Sequence, residues 1–323
     1  MGQKNNVLNI YMNKPERIQS VLEYYIREKL PKDWAFGCED ALGFYSVVNS
    51  RGKVTYRQRD ILKRVKTQKG NYLLGIENQE NINLTFPWRL MQMDCLAYEG
   101  QLEKIRERNK QQNVRYKGAD DYLYQYKTSD VLEPVVDLML YWGKRKWKKP
   151  LGMKDMVNTS LASAPIEKLF NEYKVHMISM REIPDEALEV MDSDLKYVLG
   201  IMKCGNSEKA CMQYIKKNEN FFKHISKSAA DVINVCMNIS KINEMLEYKQ
   251  TEEGEECADM CKAVDDMIRN SEERGRKEGR KEGERCMAKL TKMLIAGNRV
   301  EDLLRASEDA EYRVRLYKEF GLA

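Results

Sequence analysis

Asp60, Glu77 and Gln79 are the residues of this chain whose types and spacing could do chemistry. Asp60 heads the run ILKRVK, and Glu77 and Gln79 close the run YLLGIENQ. Suppose the two runs pair as an antiparallel hairpin with Thr67 to Gly70 as the loop. Lys66 then faces Asn71, Val65 faces Tyr72, Ile61 faces Ile76, and Asp60 faces Glu77. Directly opposed residues have Cβ atoms ~5 Å apart on one sheet face. Gln79, two residues beyond Glu77, points to that same face. Two carboxylates so close repel unless a cation neutralises them or one holds a proton. A divalent metal is the natural occupant. Mg2+ or Mn2+ held by such acids, with phosphate oxygens and waters completing its shell, activates a water for phosphodiester hydrolysis. Asp60 and Glu77 are the candidate metal ligands, with the backbone carbonyl of Asn78 as a further one. Gln79 would orient the water, although a neutral amide brings no positive charge. The competing reading is a hairpin that carries two surface acids.

The elements that must position these residues follow from periodicity. NKPERIQSVLEYYIREKL, residues 13–30, begins with a start signal and then repeats Ile18, Val21, Leu22, Tyr25 and Ile26 at helical spacing. Glu16 and Glu23 lie on this helix; each is a solvated acid or an accessory carboxylate. Ala41 to Asn49 suits a strand. YLLGIEN is nearly all apolar, as expected of a central strand covered on both faces. A helix is expected over Trp88 to Arg108, with Asp94, Tyr98 and Gln101 at i, i+4 and i+7 on one polar stripe; these three are accessory candidates. Further strands are expected over Leu132 to Trp142 and Tyr173 to Met180. From Pro184 the pattern turns helical, with one helix expected over Asn218 to Ser240.

The chain has 323 residues, 33% of them charged, with a formal net charge of +5. This balance permits nucleic-acid binding without requiring it. The segment GKRKWKKP, 143–150, sets Lys144, Arg145, Lys146, Lys148 and Lys149 around Trp147. Basic residues interleaved with an aromatic suit a phosphate backbone and a stacked base; a solvated loop closing a strand is the alternative. Arg57 and Arg59, beside the first acid, are further DNA-binding candidates. Only two histidines occur, and the eight cysteines have no framework spacing, which argues against histidine triads and disulfide scaffolds. No apolar run is long enough to span a bilayer, and no signal-peptide core is recognisable. The expected location is cytoplasmic, with no membrane partner. Gly275, Gly279 and Gly283 recur every four residues within RGRKEGRKEGE. This stretch is either a marginal helix that could act as a homo-oligomer seam or a flexible charged linker.

Several blocks together resemble a known family: Arg57-Gln-Arg-Asp60, Leu74-Gly-Ile-Glu-Asn-Gln79, Pro87-Trp-Arg89, Asp94-X-X-X-Tyr98-X-X-Gln101, Glu133-Pro-Val-Val and Leu140-Tyr-Trp-Gly143. They are similar to bacterial Rpn-type proteins, the recombination-promoting nucleases and transposase-like proteins of the PD-(D/E)XK superfamily. The resemblance implies an α/β fold, a restriction-endonuclease-like core with a mixed four-stranded sheet flanked by helices. It implies a metal-dependent DNA endonuclease in which Asp60 and Glu77 bind metal and Gln79 stands where the superfamily has lysine. Where relatives carry an acid in the first helix, this chain has Ser20. The expected organisation is a nuclease-like core over 1–183, a helical extension over 184–250, and a charged glycine-repeat helix with a helical tail over 251–323. The alternative function is a catalytically weak or inactive nuclease-fold protein that binds DNA or assembles.

Overall fold

The computed structural model describes residues 3–38, 44–48, 54–157, 168–205, 207–237, 244–252 and 254–322, with the backbone alone at 3, 4, 38, 44–48 and 54–58. The chain divides into two compact units, Met1–Ala258 and Asp259–Ala323. The first holds the sheet together with residues 184–250.

The first unit begins with α1 (Gln3–Met12) and α2 (Pro15–Ile26). Pro15 suits the first turn of α2, where its missing N–H would be unpaired in any residue. α1 was not expected, because QKNNVLNIYM lacks a wide apolar stripe. It forms because Leu8, Tyr11 and Met12 are all buried. Arg17 of α2 is buried too. Its Nε and Nη2 donate to the two carboxylate oxygens of Asp194 at 2.7 and 2.6 Å, and its guanidinium lies 3.6 Å from the centre of the Tyr11 ring.

The strands follow: β1 (Ala35–Cys38), β2 (Phe44–Val48), β3 (Val54–Gln58), β4 (Ile61–Thr67) and β5 (Gly70–Gln79). Among the described residues, β2 and β3 pair with each other in a separate two-stranded sheet. After β5 come α3 (Phe86–Gln111), α4 (Ala119–Tyr124), β6 (Val135–Tyr141) and β7 (Met177–Ser179). The main sheet has the order β1-β4-β5-β6-β7. β5 is antiparallel to β4 and parallel to β6, so the sheet is mixed. It has five strands where the resemblance implies four. The addition is β1, whose four residues AFGC are too few to show a period.

β5 is buried from Leu73 to Gln79, as its apolar run requires. α3 covers the face that carries Glu77. There Phe86, Leu90 and Met93 pack with Met139, Tyr141 and Trp147. Gly75 points to the same face. A Cβ at Gly75 would overlap Asp137 Oδ1 and Arg59 Nη1, so the missing side chain makes room for that ion pair.

Residues beyond β7 form α5 (Asp185–Glu189), α6 (Leu195–Lys203), α7 (Glu208–Lys217), α8 (Glu219–Phe222) and α9 (Lys227–Met237). The single helix expected over Asn218 to Ser240 is interrupted by β8 (Ile225–Ser226), which joins β9 (Lys249–Gln250) and β10 (Glu256–Ala258) in a small sheet ordered β8-β10-β9.

The second unit comprises α10 (Met260–Ala296), α11 (Val300–Glu308) and α12 (Ala310–Glu319). Asp259 caps α10 by accepting the Lys262 N–H at 2.9 Å, the usual role of an N-cap carboxylate. Leu290, Leu294, Ala306 and Leu316 form the core of this unit. The glycine repeat lies within unbroken helix rather than a linker. A Cβ at Gly275, Gly279 or Gly283 would meet nothing within 4 Å.

Candidate active site at the open end of the β4–β5 hairpin

β4 and β5 pair in the register counted outward from the turn: Lys66 faces Asn71, Val65 faces Tyr72 and Ile61 faces Ile76. Asp60 therefore stands just before β4, beside Glu77. Each acid takes a backbone N–H from the other strand. Asp60 N–H donates to Glu77 Oε1 at 3.2 Å, and Asn78 N–H donates to Asp60 Oδ2 at 2.9 Å. The carboxylates thus replace the ladder bonds that β4 would have supplied had it continued. Alternation along the ladder turns the Asn78 carbonyl to this same open end.

Three residues from other elements complete the cluster. Asn9 of α1 donates from Nδ2 to Asp60 Oδ1 at 3.2 Å and accepts from Asn78 Nδ2 at 3.0 Å. Trp142, just past β6, donates from Nε1 to Asn78 Oδ1 at 2.9 Å. Arg89, in the first turn of α3, donates from Nη2 to Glu77 Oε2 at 3.2 Å.

Burial and the mutual repulsion of the two acids set the electrostatics of the site. Glu77 is fully buried, and desolvation with the charge of Asp60 pushes its pKa up to about 8, against the pull of Arg89, Arg59 and the Asp60 N–H. Burial also raises the pKa of Asp60, against the Asn78 N–H, Asn9 and Arg89. Gln79 is 8% exposed, and its side-chain amide has no hydrogen-bond partner among the described residues. The donors at hand are carboxylate, carbonyl and amide oxygens, the set preferred by hard divalent cations such as Mg2+ and Mn2+. No group of three Asp, Glu, His or Cys side chains gathers here or elsewhere among the described residues. These residues fit a cation that keeps open positions for water and phosphate, and they do not fit an all-protein cage.

A family model described as "Putative transposase, YhgA-like" matches residues 51–232, more than half of the chain. The chain belongs to this family. No curated protein and no solved structure matches it. The YhgA-like match takes in the hairpin acids, Arg89 and Trp142, whereas Asn9 lies outside it.

Other residues singled out in the sequence of this YhgA-like protein have different places. Arg59 was expected at DNA, yet its side chain has no solvent exposure. It turns inward to Asp137 and Asp94, because an Arg beneath a sheet face is tolerated only with carboxylate partners. Arg57 lies in β3, and its side chain is outside the described residues. Trp147 was expected to stack on a base, yet it is 4% exposed and packs edge-on against Tyr141 and Phe86 at 5.2 and 5.9 Å. Burial of a large apolar ring outweighs the polarity of its neighbours. Lys144, Arg145, Lys146, Lys148 and Lys149 around it are exposed. Asp94 accepts from Arg59 and from the Tyr173 hydroxyl (2.6 Å). Tyr98 accepts the Val135 N–H at 3.0 Å, and Gln101 bonds the N–H and C=O of Glu133 at 2.7 and 3.1 Å, so both fasten the chain leading into β6. Glu16 is exposed, and Glu23 accepts from Gln19, Lys29 and the Leu30 N–H at the end of α2. Ser20 donates to Glu16 C=O and Ser193 Oγ, so its hydroxyl is engaged away from the acid pair.

Asn9, Arg89 and Trp142 were missed as site residues. Arg89 and Trp142 had a signal in the blocks Pro87-Trp-Arg and Leu140-Tyr-Trp-Gly. Asn9 had none. Among the described residues, no helix is long and apolar enough to cross a membrane.

Proposed function

We propose that this protein is a metal-dependent DNA endonuclease with a PD-(D/E)XK-type core, consistent with membership of a transposase family. The observation that carries the reading is the interlocked pair at the open end of a central hairpin, half-buried Asp60 and fully buried Glu77, whose pKa burial and Asp60 push up to about 8. Bound Mg2+ or Mn2+ would supply an activated water and neutralise charge building on the phosphate. Asp60, Glu77 and the Asn78 carbonyl would hold it. Asn9 fixes the orientation of Asp60, and Trp142 fixes that of Asn78. The free amide of Gln79 is available to orient the water by hydrogen bonding. Arg89, which donates to Glu77 Oε2, would be the cation at hand for the phosphate.

The strand ends nearby are basic. A cavity of about 300 Å³ lies past the ends of β5 and β6, with Glu80, Asn81, Lys144, Arg145 and Arg181 in its wall. Arg181 donates to three backbone carbonyls, those of Trp142, Met202 and Cys236. Its positive charge suits the DNA backbone. A second reading is a nuclease-fold protein that binds DNA without cutting. It is favoured by Arg89, which already neutralises part of Glu77, and by the neutral Gln79.

Supercoiled plasmid incubated with the full chain and Mg2+ or Mn2+ separates the two. Nicking by the wild type that is lost in Asp60→Ala and Glu77→Ala is the expected result. Equal nicking by all three would overturn the site assignment. Salt-dependent DNA binding without nicking would select the second reading.

A further inference from the structure

The sheet face opposite the hairpin acids borders a cavity of about 510 Å³. Side chains alternate along β5, so Gly75 and Glu77 look toward α3, whereas Tyr72 and Leu74 look the other way. The ladder puts Val65 of β4 and Val136 and Leu138 of β6 on that second face. Leu22, Tyr25 and Ile26 of α2 form the facing wall. Trp34 closes the far end, stacked on Tyr72 at 6.3 Å with an interplanar angle of 20°.

The polar groups on this face gather at the β7 end. Just before β7, Tyr173 reaches Asp94 and Val175 joins the core under α3. Lys174 and His176 alternate with them and so turn to the α2 side. The Tyr25 hydroxyl meets His176 Nδ1 at 2.8 Å, and its ring lies edge-on to the imidazole. With Nδ1 accepting, Nε2 carries the proton and stays a donor. The Lys174 ammonium has no partner among the described residues. Asp94 and Asp137 border the cavity only around the edge of β6, beside which β7 pairs no further back than Met139. They bring no net charge. Arg59 balances Asp94, while burial and the hydrogen bond with Asp94 hold the Asp137 carboxyl well above the usual carboxylate range. The chamber is therefore apolar along its length and cationic at one end.

We propose that this cavity binds a linear aliphatic monocarboxylate of medium length, with its carboxylate at Lys174 and His176 and its chain laid across β6 and β5 toward Tyr72 and Trp34. Neighbouring strands lie ~5 Å apart, so the path from β7 to β5 is ~10 Å, about the reach of an eight-carbon chain. The volume falls within the ~300–1,000 Å³ usual for small-molecule sites, with an apolar lining and a few polar groups at one place. The chain gains from leaving water, and the head group gains charge-assisted hydrogen bonds that a neutral analogue lacks. A cation of the same shape is repelled by Lys174.

Isothermal titration of the full chain with sodium octanoate, and with octanamide as its neutral counterpart, tests this without metal or DNA. The outcome is therefore independent of the endonuclease reading. Octanoate is expected to bind at least tenfold more tightly than octanamide. Lys174→Gln should weaken octanoate and leave octanamide unchanged, so that the ratio of the two affinities narrows. Val136→Trp fills the middle of the cavity and should weaken both. Lys174 and Val136 are exposed, so both variants are expected to fold. Absence of octanoate binding, equal affinity for the two ligands, or an octanoate affinity unchanged in either variant would overturn the proposal.

Discussion

Metal binding at the hairpin end should be strongly pH-dependent, because Glu77 must lose a proton to become a ligand. Its pKa is raised by burial and by Asp60 to about 8. At pH 8 half of the metal-free protein carries an ionised Glu77; at pH 6 only about 1% does. The apparent affinity for Mg2+ or Mn2+ should therefore fall about 50-fold from pH 8 to pH 6, with close to one proton released per metal bound at the lower pH. Calorimetric titration at several pH values, in buffers of different ionisation enthalpy, reads both quantities. Glu77→Gln should bind metal weakly and lose most of the pH dependence. The same shift has a consequence for stability. A carboxyl whose folded pKa lies above its usual 4.5 contributes its stabilisation fully below that value and loses it as pH rises through about 8. The span from 4.5 to about 8 corresponds to on the order of 5 kcal/mol, lost from the metal-free protein by pH 9. Glu77→Gln removes that loss, so without metal its melting temperature should exceed that of the wild type at pH 9 and approach it at pH 5. Equal metal affinity at pH 6 and pH 8, or no relative gain for Glu77→Gln at alkaline pH, would refute the account of Glu77 as a carboxyl held protonated by its surroundings.

Asn9→Ala removes hydrogen bonds to Asp60 and Asn78, and should lower stability by about 1–3 kcal/mol in urea titrations and reduce nicking beyond that loss. Gly279→Ala, with open space around the new methyl, should stabilise α10 by about 1 kcal/mol, read as a rise in melting temperature of the second unit's transition. Charge reversal of Lys144 and Arg145 should weaken DNA binding and flatten its salt dependence, whereas Trp147→Ala should cost about 3–5 kcal/mol of folding stability, measured by denaturant titration.

The hairpin was legible because both of its determinants are local. A period of two and a turn position fix which residues face each other, and the count reaches Asp60 and Glu77 without tertiary information. The helix that covers them was equally visible, since Leu90 and Met93 recur at helical spacing. Asn9 was not legible, because an asparagine that bonds Asp60 and Asn78 does so only after α1 packs over the sheet, and its own segment has no apolar period. Arg59 and Trp147 were misplaced for a related reason. Sequence context assigned them the character of their neighbours, acid-flanking in one case and lysine-rich in the other. Their burial depends on Asp137, Phe86 and Tyr141, partners distant in the chain. Asp137 did carry a signal in the apolar run LEPVVDLMLYW, where a charge inside a covered strand calls for a partner.

Gly75 also bears on how this chain can change over time. The absence of a side chain there is what allows Arg59 and Asp137 to meet across the strand. The three positions are therefore tied into one historical unit with an order of change. A residue larger than glycine can be accepted at 75 only after the guanidinium or the carboxylate has gone. Losing the guanidinium first leaves Asp137 stranded under the sheet, whereas losing Asp137 first leaves Arg59 its pair with Asp94. Related sequences with a side chain at 75 should accordingly lack the Arg59–Asp137 pair, with Asp137 the more readily lost of the two.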